Sequence, residues 1–152
     1  MRNSLAVLTA LFCATAPLSL SAQEDPRTRA AVDRLTPDLV AVRHDIHSHP
    51  ELGNRETRTA ALIAERLRAL GLEVRTGVAR TGVVGILPGG RPGPVVGVRA
   101  DMDALPVTEQ TDLPFASTVR TEYDGGMVGV AHACGHDVHV TVALGVAATL
   151  AE

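Results

Sequence analysis

Three imidazoles, one thiol and one carboxylate fall within residues 132–139: His132, Cys134, His136, Asp137 and His139. Thiolate and neutral imidazole are borderline-soft ligands that suit zinc and similar divalent ions. Gly135, between Cys134 and His136, carries no side chain and frees the backbone to turn both neighbours toward one ion. Asp137 can then accept a hydrogen bond from a ligating imidazole or cap the helix that follows. In a chain with six histidines, so dense a cluster points to metal binding.

A second group is Asp101 and Asp103, two carboxylates just beyond the apolar run 94–100. In open α/β sheets ligands sit outside the carboxyl ends of strands, which places these acids where a site would be. The competing reading is that both cap a turn, as Asp commonly does. The other polar candidates are weaker. His44, His47 and His49 lie on or at the end of one predicted helix, where His47 and His49 point different ways. A surface or capping role is the default for them and for Glu51. Glu109 and Glu122 are single carboxylates in polar surroundings and read as solvated side chains.

The elements that must carry these groups alternate. Thr36-Pro37 supplies a hydroxyl cap and a first-turn proline, and Leu39, Val40, Val42 and Ile46 follow at helical spacing, so a helix is predicted from there to about His49, before Pro50. Asn54 is the predicted cap of a second helix with Ala60, Ile63, Leu67 and Leu70 on its apolar face and Gly71 as its C-terminal glycine. Strands are predicted over 72–76 and 81–87, with a turn over 88–93. Residues 94–100 are β-branched without polar alternation, as expected of a strand covered on both faces. Residues 105–130 show no sustained period and read as a long irregular connection of the functional kind. A largely buried helix is predicted over 138–152. The expected fold class is α/β, with helices packed on a mostly central sheet.

Composition narrows the partners. All 14 basic residues are Arg, scattered without a cluster against 17 acidic ones, so nucleic acid has no patch to bind. Phe12, Phe115 and Tyr123 are the only aromatic residues, too few for a stacking platform. Met1 to Asn3 and the apolar run after them, closing on small residues near Ala22, read as a secretory signal peptide over 1–22. The run is too short for a stable membrane span. Residues 23–152 then hold one cysteine, Cys134, which cannot close an internal disulfide.

Several motifs occur in order: 43–53 (Arg-His-Asp-Ile-His-Ser-His-Pro-Glu-Leu-Gly), Glu56-Thr57, 99–106, 113–117 and 132–137. This ordered set resembles the N-terminal part of metal-dependent amidohydrolases of the hippurate hydrolase and indole-acetyl-amino-acid hydrolase type, within the aminoacylase and carboxypeptidase G-like zinc peptidase superfamily. The resemblance implies that 23–152 is an incomplete part of a zinc-peptidase-like catalytic domain with a two-metal site. Zinc or manganese would be its ions, with cobalt or nickel as alternatives. It implies Cys134 and His136 as ligands and Asp103 as a residue supporting them, while Asp101, His132, Asp137 and His139 are additional candidates. A metal-activated water would cleave the amide bond of N-acyl amino acids or small peptides. The family's general-base Glu, its further ligands and the small domain that forms dimers are expected beyond position 152, so this chain alone is expected to be inactive. Export to the periplasm or medium follows from the signal segment. The alternative is a small exported metal-binding or interaction module without catalysis.

Overall fold

A computed structural model describes residues 25–152, so the signal-peptide reading of 1–22 lies outside the described residues. Helix α1 spans Pro26–Ser48 and begins earlier than the sequence reading places it. Asp25 is the cap, its carboxylate accepting from the Arg27 N–H at 2.9 Å, and Pro26 occupies the first turn. Pro37 therefore lies inside the helix. It forfeits one backbone hydrogen bond, and the apolar face from Ala31 to Ile46 keeps the helix continuous across it. The end is as expected, at Ser48, with His49 as the cap directly before Pro50.

Helix α2 spans Thr57–Ala69, and its cap is not Asn54. Asn54 sits in a left-handed turn at φ 65°. The carboxylate of Glu51 instead accepts from the first-turn N–H groups of Arg58 at 2.9 Å and Thr59 at 2.8 Å. A carboxylate there also suits the positive end of the helix. The other end closes as the sequence predicts. Gly71, at φ 82°, donates its N–H to Arg68 O, and Leu72 donates to Leu67 O, the paired bonds of a Schellman motif.

Strands β1 (Glu73–Val78) and β2 (Gly82–Ile86) pair antiparallel, Glu73 opposite Ile86 and Arg75 opposite Val84. A second hairpin joins β3 (Arg120–Tyr123) to β4 (Gly126–Gly129) inside the segment read as irregular. Its turn residues Asp124 and Gly125 both have positive φ, 49° and 78°, the twist-matched geometry that Asp-Gly favours in two-residue hairpins.

Helix α3 spans His136–Leu150 and starts two residues earlier than expected, which brings His136 and Asp137 into its first turn. Val42 and Ile46 of α1, Leu67 and Leu72 around the end of α2, and Val140 and Leu144 of α3 form the core. Leu52, Ala104 and Val130 form a smaller cluster beside it. The class is α/β, with two separate two-stranded sheets among the described residues. The doubly covered strand over 94–100 is not observed. That segment is unpaired, and Val95, Val96 and Val98 are 99%, 81% and 61% exposed, because no described strand lies alongside to complete a ladder. No described helix is long and apolar enough to cross a membrane.

Candidate metal centre

Two short β-bridges fix the acidic segment, one to Leu52 and one to Ala131, the residue before the histidine turn. Ala104 N–H donates to Glu51 O at 2.7 Å, and Leu105 and Ala131 exchange both of their backbone hydrogen bonds, at 3.0 and 3.1 Å. Asp103 thus stands immediately before one bridge residue, Asp101 two residues further back, and His132 immediately after the other. The turn that follows closes with Gly135 N–H on His132 O at 3.0 Å. Gly135 caps α3 at φ 77°, a conformation in which a side chain would be strained.

Asp101, His136 and His139 each offer one ligand atom, and these atoms lie within 4.8 Å of one another. His136 and His139 are one helical turn apart, so both rings project from the same side of α3. The Nδ1 of His136 donates to the carbonyl of Asp103 at 2.8 Å and also lies 3.1 Å from its Oδ1. That assignment leaves Nε2 as the lone-pair nitrogen. Arg99, hydrogen-bonded to Asp101 at 2.8 Å, holds that carboxyl below its ordinary range and keeps it an anion. Cys134 is exposed with a free thiol on the turn, outside this three-residue cluster.

His132 is 5% exposed, and neither ring nitrogen has a hydrogen-bond partner. Burial pushes its pKa below the ordinary 6.5, so the neutral ring carries one free donor and one free lone pair. A carboxylate, two imidazoles, a nearby thiol and an orphaned buried imidazole form a donor set that fits a divalent ion.

Asp137 is placed differently. It is 1% exposed, and its Oδ2 accepts from His47 Nδ1 at 2.8 Å and from Arg43 Nε at 3.1 Å. Both donors fall on Oδ2, which faces α1, and Asp137 is not among the three residues of the ligand cluster. His47, read from sequence as a surface or capping residue, is buried, and Glu109, read as solvated, is its second partner: Nε2 lies 3.0 Å from Glu109 Oε1. A carboxylate has no proton to give, so both ring nitrogens must donate and His47 is an imidazolium. Burial opposes that charge, but the hydrogen bonds and charges of Glu109 and Asp137 outweigh it and raise the pKa above 6.5. Burial likewise penalises the charge on Asp137 and Glu109. Asp137 is nevertheless held below its usual range by His47 and Arg43, and Glu109 by Thr111, His47 and the Ser117 N–H.

Glu109 accepts from the Thr111 hydroxyl and the Ser117 N–H, closing 109–117 on itself. Phe115 stacks on His44 at 3.7 Å and meets His47 edge-on at 5.3 Å. The sequence carried one signal for this layer. Arg43 and His47 are four residues apart and directly follow the buried Val42 and Ile46, so they lie on one helix face at the border of the core. His49 ends α1, its Nδ1 2.8 Å from Asp45 O, and Glu51 caps α2, both as capping residues. Glu122 is exposed.

The chain is similar to several known proteins. The profile of Peptidase family M20/M25/M40 matches residues 97–152, which contain Asp101, Asp103 and the whole histidine turn. Thermostable carboxypeptidase 1 of Saccharolobus solfataricus is 51% identical over 108 residues, covering 70% of this chain and 25% of that protein. Hippurate hydrolase of Campylobacter jejuni is 46% identical over 111 residues, covering 73% of this chain and 27% of that protein. The chain therefore spans about a quarter of the length of these relatives. Among solved structures, the Bacillus subtilis YXEP protein, described as a dinuclear metal binding peptidase from the M20 family, superposes with a TM-score of 0.69 at 39% identity, covering 78% of this chain and 31% of that one. Through its acidic segment, its histidine turn and these likenesses, the chain is similar to Peptidase family M20/M25/M40, whose profile it matches over residues 97–152.

Proposed function

We propose that the chain is the N-terminal part of an exported, metal-dependent amidohydrolase that cleaves the amide bond of N-acyl amino acids or small peptides. The observation that carries this reading is the convergence of Asp101, His136 and His139, with Cys134 on the same turn and His132 buried beside it without a partner. The names of the relatives support the reaction class: a carboxypeptidase and a hippurate hydrolase both cut an amide bond next to a carboxylate.

In this reading residues 1–22 are the signal peptide and 23–152 the first part of the catalytic domain. Cys134 and His136 hold metal, with Asp101 and His139 as further donors and His132 available at the same turn. Asp103 orients His136 through its carbonyl and carboxylate. A divalent ion held here would polarise the amide carbonyl and lower the pKa of a bound water. Two ions, zinc or manganese, with cobalt or nickel as substitutes, suit the donor types. The general base and the remaining ligands would come from chain beyond Glu152, as would a dimer-forming domain, so residues 23–152 alone are inactive in this reading. Periplasmic or secreted location goes with the signal segment.

The test is metal analysis of the full-length protein, with hydrolysis of N-benzoyl and N-acetyl amino acids measured before and after chelation. One or two tightly held divalent ions, with turnover lost on chelation and restored by metal, is the expected result. Turnover that survives complete metal removal would sink the proposal.

A further inference from the structure

His47 joins three parts of the molecule that are remote in sequence. It sits on α1, its Nδ1 holds Asp137 in the first turn of α3 at 2.8 Å, and its Nε2 holds Glu109 at 3.0 Å. Asp137 directly follows His136, and its carboxylate also takes Arg43 from α1. Successive residues of a helix point about 100° apart. The carboxylate of Asp137 therefore grips α3 on a different side from His136 and His139. That grip sets the rotation of the first turn about the helix axis.

We infer that His47 is a positioning residue for the metal centre: through Asp137 it sets the orientation of the first turn of α3, and with it the placement of His136 and His139 against Asp101. The inference rests on the metal-centre reading above. Three observations separate it from a generic stabilising contact. The grip falls on the residue next to His136 and within the same turn as His139. On the opposite side, the His136 ring is locked to Asp103, so the turn is held from two directions. The outer nitrogen of His47 is held by Glu109, itself fixed by Thr111 and Ser117, which leaves the imidazole no freedom to swing. Partners of this kind around a ligand commonly change metal affinity by about 10–100-fold when removed.

The test uses Co2+ alone as the probe and the full-length protein as wild type, His47→Gln and Glu109→Gln. Dissociation constants and the visible d–d spectrum of bound Co2+ are read, with far-UV circular dichroism as the check on folding. His47→Gln, which cannot reach both partners, is expected to weaken Co2+ binding at least tenfold and to alter the d–d spectrum with an unchanged dichroism spectrum. Glu109→Gln leaves the Asp137 contact in place and is expected to weaken binding by a smaller factor in the same direction. It decides the matter if His47→Gln does not fold. If the folded variants bind Co2+ with wild-type affinity and spectrum and lose only resistance to denaturant, the inference is overturned. If the wild type takes up no Co2+, the metal-centre reading falls, and this inference falls with it.

Discussion

The Nδ1 of His136 lies 2.8 Å from the main-chain carbonyl of Asp103 and 3.1 Å from its side-chain Oδ1. The carbonyl is the firmer partner, since it survives any substitution at position 103. Asp103→Ala should therefore keep the tautomer but loosen the ring, weakening divalent-metal affinity by about tenfold, the lower end of the range for such partners. Competition with a chelating dye measures this, and unchanged affinity would leave Asp103 without a role at His136.

Cys134 is exposed with a free thiol. Cys134→Ser is expected to change folding stability by no more than about 0.5 kcal/mol, the usual range for a surface substitution. It should nevertheless reduce metal retention through dialysis, because serine does not supply a thiolate. Retention equal to wild type would remove Cys134 from the ligand set.

Acid and base should destabilise the metal-free protein through opposite members of one cluster. Asp137 and Glu109 have folded pKa values below their ordinary 3.8 and 4.5, so their contribution is present above those values and lost as pH falls through the folded ones. His47 is raised above 6.5, so its contribution is full below that value and lost as pH rises through the folded one. The groups facing it are Asp137, Glu109, Arg43 and His132. His132, lowered below 6.5 by burial, costs stability as pH falls below that value, so the urea midpoint should be highest near pH 6.5 and decline on both sides. His47→Gln should flatten the alkaline decline. An alkaline limb identical to wild type would mean that His47 is not the titrating group.

Gly129 tests the packing that places Glu109. A Cβ built there would lie 2.7 Å from the Cα of Thr108 and 2.5 Å from its Oγ1, so Gly129→Ala must push the backbone next to Glu109. A destabilisation of about 1–3 kcal/mol is expected, as for other overpacked sites. Equilibrium denaturation gives the value, and a cost near zero would show that the 105–109 segment yields freely.

Local chemistry made some of this readable from sequence and left the rest dark. Gly71 and Pro50 act on their own neighbours, and the ends of α2 and α1 fall where those two residues require. Asp25-Pro26 and Thr36-Pro37 offer the same start signal, and only the burial of Ala31 decides between them. Asp124-Gly125 carried a hairpin signal that the surrounding polar residues hid. The histidine turn was conspicuous because its ligand types are consecutive. The His47 cluster was not, because its partners lie 90 and 62 positions away, and nothing in the vicinity of Glu109 distinguishes it from a solvated carboxylate. The run 94–100 shows the reverse failure. Its residues suit a covered strand, but a strand is a property of its neighbours, and the described ones do not supply them.

The doubly bonded pair Leu105 and Ala131 closes the base of an excursion whose far tip is the exposed Asp124-Gly125 turn. Chain inserted at that tip is carried outward by the hairpin and leaves the base shut. The turn is thus a port for an epitope, a fluorophore or a surface tether, through which the protein can be tracked or immobilised without disturbing Asp101 or the histidine turn.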